Sequence, residues 1–259
     1  DIHNDKRTQR YWQKSIIILY LVRQFTIMHS RTLPILAFLL LQLPAISQGR
    51  YEIKEGDPNG INKWYMGRQI AHVMSHYGIN WLERETRDKE ENSDLLVKNL
   101  DIQPGMIIAD LGAGSGFYTE KMAKKLSGGG MVYAVDVQPE MIEYLNNRIK
   151  TEKLTNVKTV LGTEKTIPLP DASIDLMILV DVYHEFSFPY EMGKAMYKAL
   201  KPGGKLYMIE FRAEDKSLAI KGLHKMSEGQ VIKELSAVGF TFEKNISNLP
   251  IQHCIVFVK

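Results

Sequence analysis

The sequence predicts an α/β protein on a doubly wound, mostly parallel sheet, and three observations predict it. Short apolar runs recur between residues 106 and 258, with segments of helical period between most of them. The first run leads directly into Asp110-Leu111-Gly112-Ala113-Gly114-Ser115-Gly116. Glycines at alternate positions let backbone amides approach a ligand closely, because no Cβ stands in the way. The second run ends at Asp136, where an acid is placed to take the two hydroxyls of a ribose. Together the loop and the acid point to a nucleoside cofactor.

Taken in order, strands are expected at 106–112, 131–137, 157–162, 174–182 and 205–211. Helices are expected between most of them, at 118–126, 139–151 and 190–200. A helix at 227–238 and two closing strands, 241–246 and 253–258, complete the chain. Alternation of this kind puts helices on both faces of the sheet. Ligands then sit at the carboxyl ends of the strands, where the strand order reverses. Ahead of the sheet, 51–63 carries Gly56-Asp57-Pro58-Asn59-Gly60 and reads as a loop. Residues 64–77 have helical periodicity, with Met66, Ile70, Val73, Met74 and Tyr77 on one face. Arg68, His72 and His76 fall on nearly the opposite face, and Gly78 ends the segment. A charged stretch follows at 81–91, and Ser93 is placed to cap a helix through Leu100. The expected domain plan is therefore a helical lead-in at 48–100, packed across the mouth of the sheet, and an α/β domain at 101–259.

Composition bounds the rest. A chain of 259 residues with 44% hydrophobic content can bury one good core. The formal charge of +3 is concentrated at the front: residues 1–47 hold Lys6, Arg7, Arg10, Lys14, Arg23 and Arg31 against two acids. The remainder carries 27 bases and 28 acids, so bulk electrostatics give no case for a nucleic-acid partner. From Met28 the pattern is a basic start, an apolar run from Leu33 to Leu43, and Ala45-Ile46-Ser47. That reads as a signal peptide at 28–47, cut after Ser47, and its apolar run is short for a stable membrane span. The expectation is an exported, periplasmic protein, with a membrane-anchored or cytoplasmic form as the alternative. Residues 1–27 read as sequence upstream of the true start. Cys254 is the single cysteine, so no intramolecular disulfide forms.

The glycine loop departs from the Gly-x-Gly-x-x-Gly spacing of dinucleotide sites. With Asp110 two residues ahead, it resembles the first motif of the class I S-adenosylmethionine (SAM)-dependent methyltransferases. Val135-Asp136-Val137 resembles that family's ribose-binding acid. The stretch from Leu169 to Asp175 resembles its lead into the fourth strand, and Leu200-Lys201-Pro202-Gly203-Gly204-Lys205 its turn before the fifth. All occur in family order. Trp64-Tyr65-Met66-Gly67-Arg68, Trp81-Leu82-Glu83-Arg84 and Asp181-Val182-Tyr183-His184-Glu185-Phe186 further resemble a bacterial subgroup that acts on small molecules. That resemblance gives a reaction class without an acceptor or an oligomeric state.

The resemblance implies a Rossmann-like, seven-stranded sheet with its last strand antiparallel, and methyl transfer to a small or medium-sized acceptor. It implies SAM contacts from Asp110, Gly112, Ala113, Gly114, Gly116, Asp136 and Val137, with Thr163 or Glu164 beside the adenine. Asp181 joins this set, and the cluster Tyr183-His184-Glu185 faces the transferable methyl group. His184 is the natural base there, oriented by Glu185 or Asp181. His224 lies in a later loop, read either as plain surface or as a reach into the same pocket. No metal site is expected: His72 and His76, four apart, lack a His-Glu-x-x-His pattern and any cysteine partner. Two alternatives stand beside this reading. One is an NAD(P)-dependent oxidoreductase on a related fold, and the other is a non-catalytic exported nucleoside-binding protein.

Overall fold

The computed structural model describes residues 49–126 and 128–259. The expected signal peptide and the upstream segment lie outside the described residues. Three antiparallel strands come first: β1 (Tyr51–Ile53), β2 (Gly60–Tyr65) and β3 (Arg68–Ala71). Short helices follow at α1 (Ile79–Leu82), α2 (Arg87–Glu91) and α3 (Ser93–Asn99). The alternating part comprises β4 (Ile107–Leu111), α4 (Phe117–Lys125), β5 (Met131–Asp136), α5 (Pro139–Thr151) and β6 (Val157–Leu161). It continues through β7 (Ile174–Val180), α6 (Pro189–Ala199), β8 (Leu200–Phe211), α7 (Glu228–Ser236), β9 (Thr241–Asn245) and β10 (Gln252–Val258).

The seven-stranded sheet has the order β6-β5-β4-β7-β8-β10-β9. Neighbours from β6 to β8 pair in parallel, and β10 runs antiparallel to both β8 and β9. The order reverses between β4 and β7, so the carboxyl ends of those strands frame the expected cleft. Two buried clusters cover the sheet. One includes Ala109, Met177, Leu179, Met208 and Phe257, the other Ile108, Val132, Ile178, Ile209 and Val256. Neighbouring strand residues divide between them, as the period-2 alternation of a strand requires. Central strands buried on both faces read as continuous apolar runs, and Leu176, Met177, Ile178 and Leu179 in β7 are all buried.

The lead-in differs from expectation in its first half. The predicted helix at 64–77 is instead the end of β2, a turn, β3 and a 3₁₀ turn at His76–Gly78. The turn explains the difference: Met66 and Gly67 both have positive φ, +49° and +99°, as a two-residue hairpin connection demands. Tyr65 and Ile70 are buried from opposite arms of the hairpin, whereas Val73 and Tyr77, expected on the same inward face as Ile70, are exposed. The second half is helical as expected. Its cap is one residue earlier, because Asn92 rather than Ser93 accepts the Leu95 N–H, at 3.4 Å. β8 begins earlier than expected, at Leu200. Its pairing with β7 shifts between Ile174 and Leu176 to absorb Lys201-Pro202-Gly203-Gly204. No helix among the described residues is long and apolar enough to cross a membrane.

Candidate cofactor and acceptor cleft

A cleft of about 1100 Å³, part of it open to solvent, lies at the carboxyl ends of β4, β5 and β7. The expected residues Asp110, Gly112, Ala113, Gly114, Asp136, Val137, Thr163, Glu164, Asp181 and Glu185 all line it. Gly116 does not; it precedes α4 at φ +83° and turns the chain into that helix.

The loop is held from beneath. Gly112 and Ala113 donate their N–H groups to Val135 O at 2.8 and 3.0 Å. Gly114 donates to Asp136 Oδ2 at 3.0 Å, and Gln138 N–H donates to Oδ1 at 3.0 Å. Gly112 has φ +68°, and a Cβ there would lie 2.4 Å from Val182 Cγ2. A side chain at that position would therefore force the loop away from the segment that follows β7. Asp136 thus orders the loop as well as offering its carboxylate to the cleft.

The floor of the cleft is acidic, and Asp110 and Asp136 are buried in it. Burial raises Asp110 to about 6, although the Thr119 hydroxyl donates to its Oδ2 at 2.5 Å. Burial likewise raises Asp136, against the N–H donors that lower it. Asp181 is pushed well above the carboxylate range by burial, then by Glu91 and Glu210 nearby. Such groups favour a ligand that brings positive charge. Two buried polar atoms lining the cleft lack any partner in the protein, Ser115 Oγ and Asp181 Oδ1. Buried groups of this kind are normally satisfied, and a polar ligand in the cleft would supply what they lack. The residues present therefore fit SAM, which is cationic at sulfur and carries a ribose for Asp136.

Asp110 gives a direct check on this electrostatic picture. Its folded-state value lies above its ordinary value near 4, so the folded protein holds the proton more tightly. The stability contribution therefore falls as pH rises from about 4 to about 6, then levels off. Asp110→Asn is expected to raise the unfolding free energy at pH 7.5 by about 2 kcal/mol, with the difference vanishing near pH 4. Urea unfolding of both proteins at the two pH values measures it.

The remaining walls come from the lead-in and the far rim, where only Leu82 falls in a quoted motif, Trp81-Leu82-Glu83-Arg84, and had no expected role. Met74 and Leu82 reach in from the lead-in, and a Cβ on Gly114 would lie 2.8 Å from Leu82 Cδ1. The lead-in is tied down by Gln138, whose Nε2 donates to Met74 O at 3.0 Å and whose Oε1 accepts His76 N–H at 2.9 Å. Arg87 also lines the cleft; it donates to Glu91 at 3.0 Å and to Leu82 O at 2.9 Å. On the opposite rim, the Ser187 hydroxyl donates to Glu164 at 2.9 Å, joining the loops after β6 and β7. His72 and His76 are not on a common helix face, since His72 follows β3 and His76 opens the 3₁₀ turn.

The cluster after β7 divides. Asp181 has φ +50°, donates its N–H to Ile209 O at 2.8 Å and accepts from Gln252 Nε2 at 2.6 Å. Glu185 faces the cleft, whereas Tyr183 and His184 do not line it. His184 is buried with Nδ1 2.7 Å from Glu210 Oε2 and Nε2 3.1 Å from His224 Nδ1. Burial favours its neutral ring, but Glu210 and Glu185 outweigh that and raise it to about 10. A ring so placed already holds its proton at neutral pH. Tyr183 is buried beneath the Arg68 guanidinium, 5.5 Å from its ring centre.

Known proteins extend this geometry. A solved SAM-dependent methyltransferase from Aquifex aeolicus superimposes with a TM-score of 0.68 at 25% identity, covering 71% of this chain and 98% of that one. An uncharacterised methyltransferase-like protein of Schizosaccharomyces pombe is 35% identical over 117 residues, 45% of this chain and 43% of its own. A demethylmenaquinone methyltransferase from Geobacillus is 28% identical over 114 residues, 44% of this chain and 49% of its own. The chain thus spans less than half the length of these two curated relatives. A family model described as "Methyltransferase domain" matches residues 102–247. On that match, together with the strand order and the glycine-loop cleft, this chain belongs to the class I SAM-dependent methyltransferase family.

Proposed function

We propose that this protein transfers a methyl group from SAM to a small or medium-sized acceptor. The observation that carries the reading is one continuous cleft. It runs from the glycine loop and Asp136 to Asp181 and Glu185, so a cofactor site and an acceptor site share the same walls. SAM, when bound, supplies an electrophilic methyl group on a sulfonium centre.

The protein's part is alignment, exclusion of water and, for a protonated acceptor, removal of a proton. Asp136 and the glycine loop hold the ribose end, and Thr163 and Glu164 flank the base. Met74 and Leu82 cover the loop side and limit access of water. Glu185 is the side chain we assign to the acceptor, because it alone of Tyr183, His184 and Glu185 faces the cleft. Asp181 offers a second oxygen there, its Oδ1 being without a protein partner. His184 acts through its neighbours: it fixes Glu210 and the turn that carries Glu185. The name of the Geobacillus relative adds reduced quinone rings to the acceptor classes worth testing.

Calorimetric titration with SAM, S-adenosylhomocysteine and NAD tests the cofactor, and methyl-labelled SAM with a panel of phenols, quinols, amines and thiols tests the transfer. SAM and S-adenosylhomocysteine are expected to bind and NAD not to, with label appearing in one acceptor class. Heat from NAD and none from SAM would reverse the assignment.

A further inference from the structure

His184, Glu185 and His224 each present one ligand-type atom, and the three atoms lie within 4.8 Å of one another. His184 Nε2 is 3.1 Å from His224 Nδ1, and Glu185 Oε1 is 3.7 Å from each. Nitrogen and oxygen donors at 2.0–2.2 Å from a tetrahedral zinc ion stand about 3.3 Å apart. The triangle is therefore the size of one face of such a site. A hydrogen bond between the two imidazoles accounts for the first distance, and charge attraction to a protonated His184 for one of the other two. At 3.7 Å the Glu185 oxygen is beyond hydrogen-bond range of either ring, although it is buried beside both.

The surroundings have the form of a ligand shell. His184 Nδ1 faces Glu210 Oε2 at 2.7 Å, leaving Nε2 as its coordinating atom, from which a bound ion would displace the ring's second proton to solvent. A carboxylate on the far nitrogen is the usual way a metal-binding imidazole is oriented. Glu210 is itself fixed, since its Oε1 accepts the N–H groups of Tyr183 and His184 at 2.9 and 3.3 Å. Two buried carboxylates thus surround two imidazoles. Arg68, whose Nη1 donates to His184 O at 3.0 Å, is already paired with Glu234 through Nε and Nη2 at 2.6 and 3.0 Å. His224 is lowered by burial and by the neighbouring charges of His184 and Lys221, and raised by Glu185 and Glu210. An approach path exists at His224, whose side chain is 26% exposed on the Gly222–His224 turn.

We propose that His184, Glu185 and His224 bind one divalent transition-metal ion of the zinc class, with at least one coordination position open. Two imidazoles and one carboxylate with an open position are the ligand set of metal sites that act on substrates rather than staple folds. Glu185 also lines the cleft, so the ion borders the acceptor end. On the methyl-transfer reading, the open position takes an acceptor oxygen and makes its proton easier to lose. That role rests on the reading; the metal site does not.

The test uses the full chain, stripped with a chelator and dialysed. Zn²⁺ is titrated by calorimetry, and Co²⁺ by visible absorption, which reports the coordination of the ion. One tight equivalent is expected, with Co²⁺ bands of a four- or five-coordinate site. His224→Ala and Glu185→Gln should each weaken binding at least tenfold. His224 lies on a turn without buried residues, so His224→Ala tests the site without removing core packing. Absence of a tight equivalent in the wild type overturns the proposal, as does wild-type affinity in both variants. SAM titration of the metal-free protein is run in parallel. Metal binding without SAM binding removes the methyl-transfer reading and keeps the site; SAM binding without metal binding does the reverse.

Discussion

Asp136→Ala is expected to weaken SAM binding by about 1.5–3 kcal/mol, the range for a hydrogen bond to a charged group. The carboxylate is buried at the end of β5 and accepts from Gly114 on one oxygen and Gln138 on the other. Alanine removes the ribose partner and, at the same time, the brace under the glycine loop. The loss should therefore fall toward the upper end of the range. Asp136→Asn separates the two contributions, because the amide keeps one acceptor oxygen for a backbone N–H and turns a donor toward the other. An intermediate affinity is expected for it. Calorimetric titration with SAM measures all three proteins. Wild-type affinity in Asp136→Ala would remove the ribose assignment and, with it, the main support for the cofactor.

The strand-loop-helix around Gly112 was legible because its signal is local. An apolar run, three spaced glycines and an acid after the next strand each have a backbone cause. The parallel strands were legible for the same reason: burial on both faces leaves no polar alternation to confuse the reading. The lead-in was not. Its apolar residues recur at a helical spacing, but of the expected face only Ile70 is buried, and Val73 and Tyr77 are exposed. The deciding feature was the positive φ of Met66, a residue type that rarely marks such a turn. Within the site, Met74 and Arg87 carry no motif and Leu82 sits in one that gave it no role, and only the tertiary packing of the lead-in over the loop brings them to the cleft. His224 was noticed as a loop histidine, but the signal that gives it meaning is Glu210. That carboxylate lies in β8, next to β7 in the sheet, and turns His184 toward His224 and away from the cleft.

Glu234→Ala is expected to destabilise the protein by about 3–5 kcal/mol, the cost of leaving a buried charge without its partner. The Glu234 side chain in α7 is fully buried, and that of Arg68 in β3 is 13% exposed. The two meet through paired hydrogen bonds, Nε to Oε1 at 2.6 Å and Nη2 to Oε2 at 3.0 Å, the strongest geometry for such a pair. Gln230 also donates to Glu234 Oε1, at 2.7 Å. With the carboxylate gone, the guanidinium keeps only the His184 carbonyl, at 3.0 Å, and the edge of its contact with Tyr183. The pair joins the small antiparallel sheet to the α/β domain, and Arg68 touches the turn that carries Glu185. Loss of stability should therefore appear together with weaker ordering of the acceptor end. Urea unfolding gives the size of the effect, and the double variant Arg68→Met/Glu234→Leu gives its cause. A buried ion pair replaced by apolar groups of similar volume is often close to neutral. The double variant should then recover most of the loss. A double variant as unstable as Glu234→Ala would mean that the hydrogen bonds to Gln230 and His184, rather than the stranded charge, hold the two parts together.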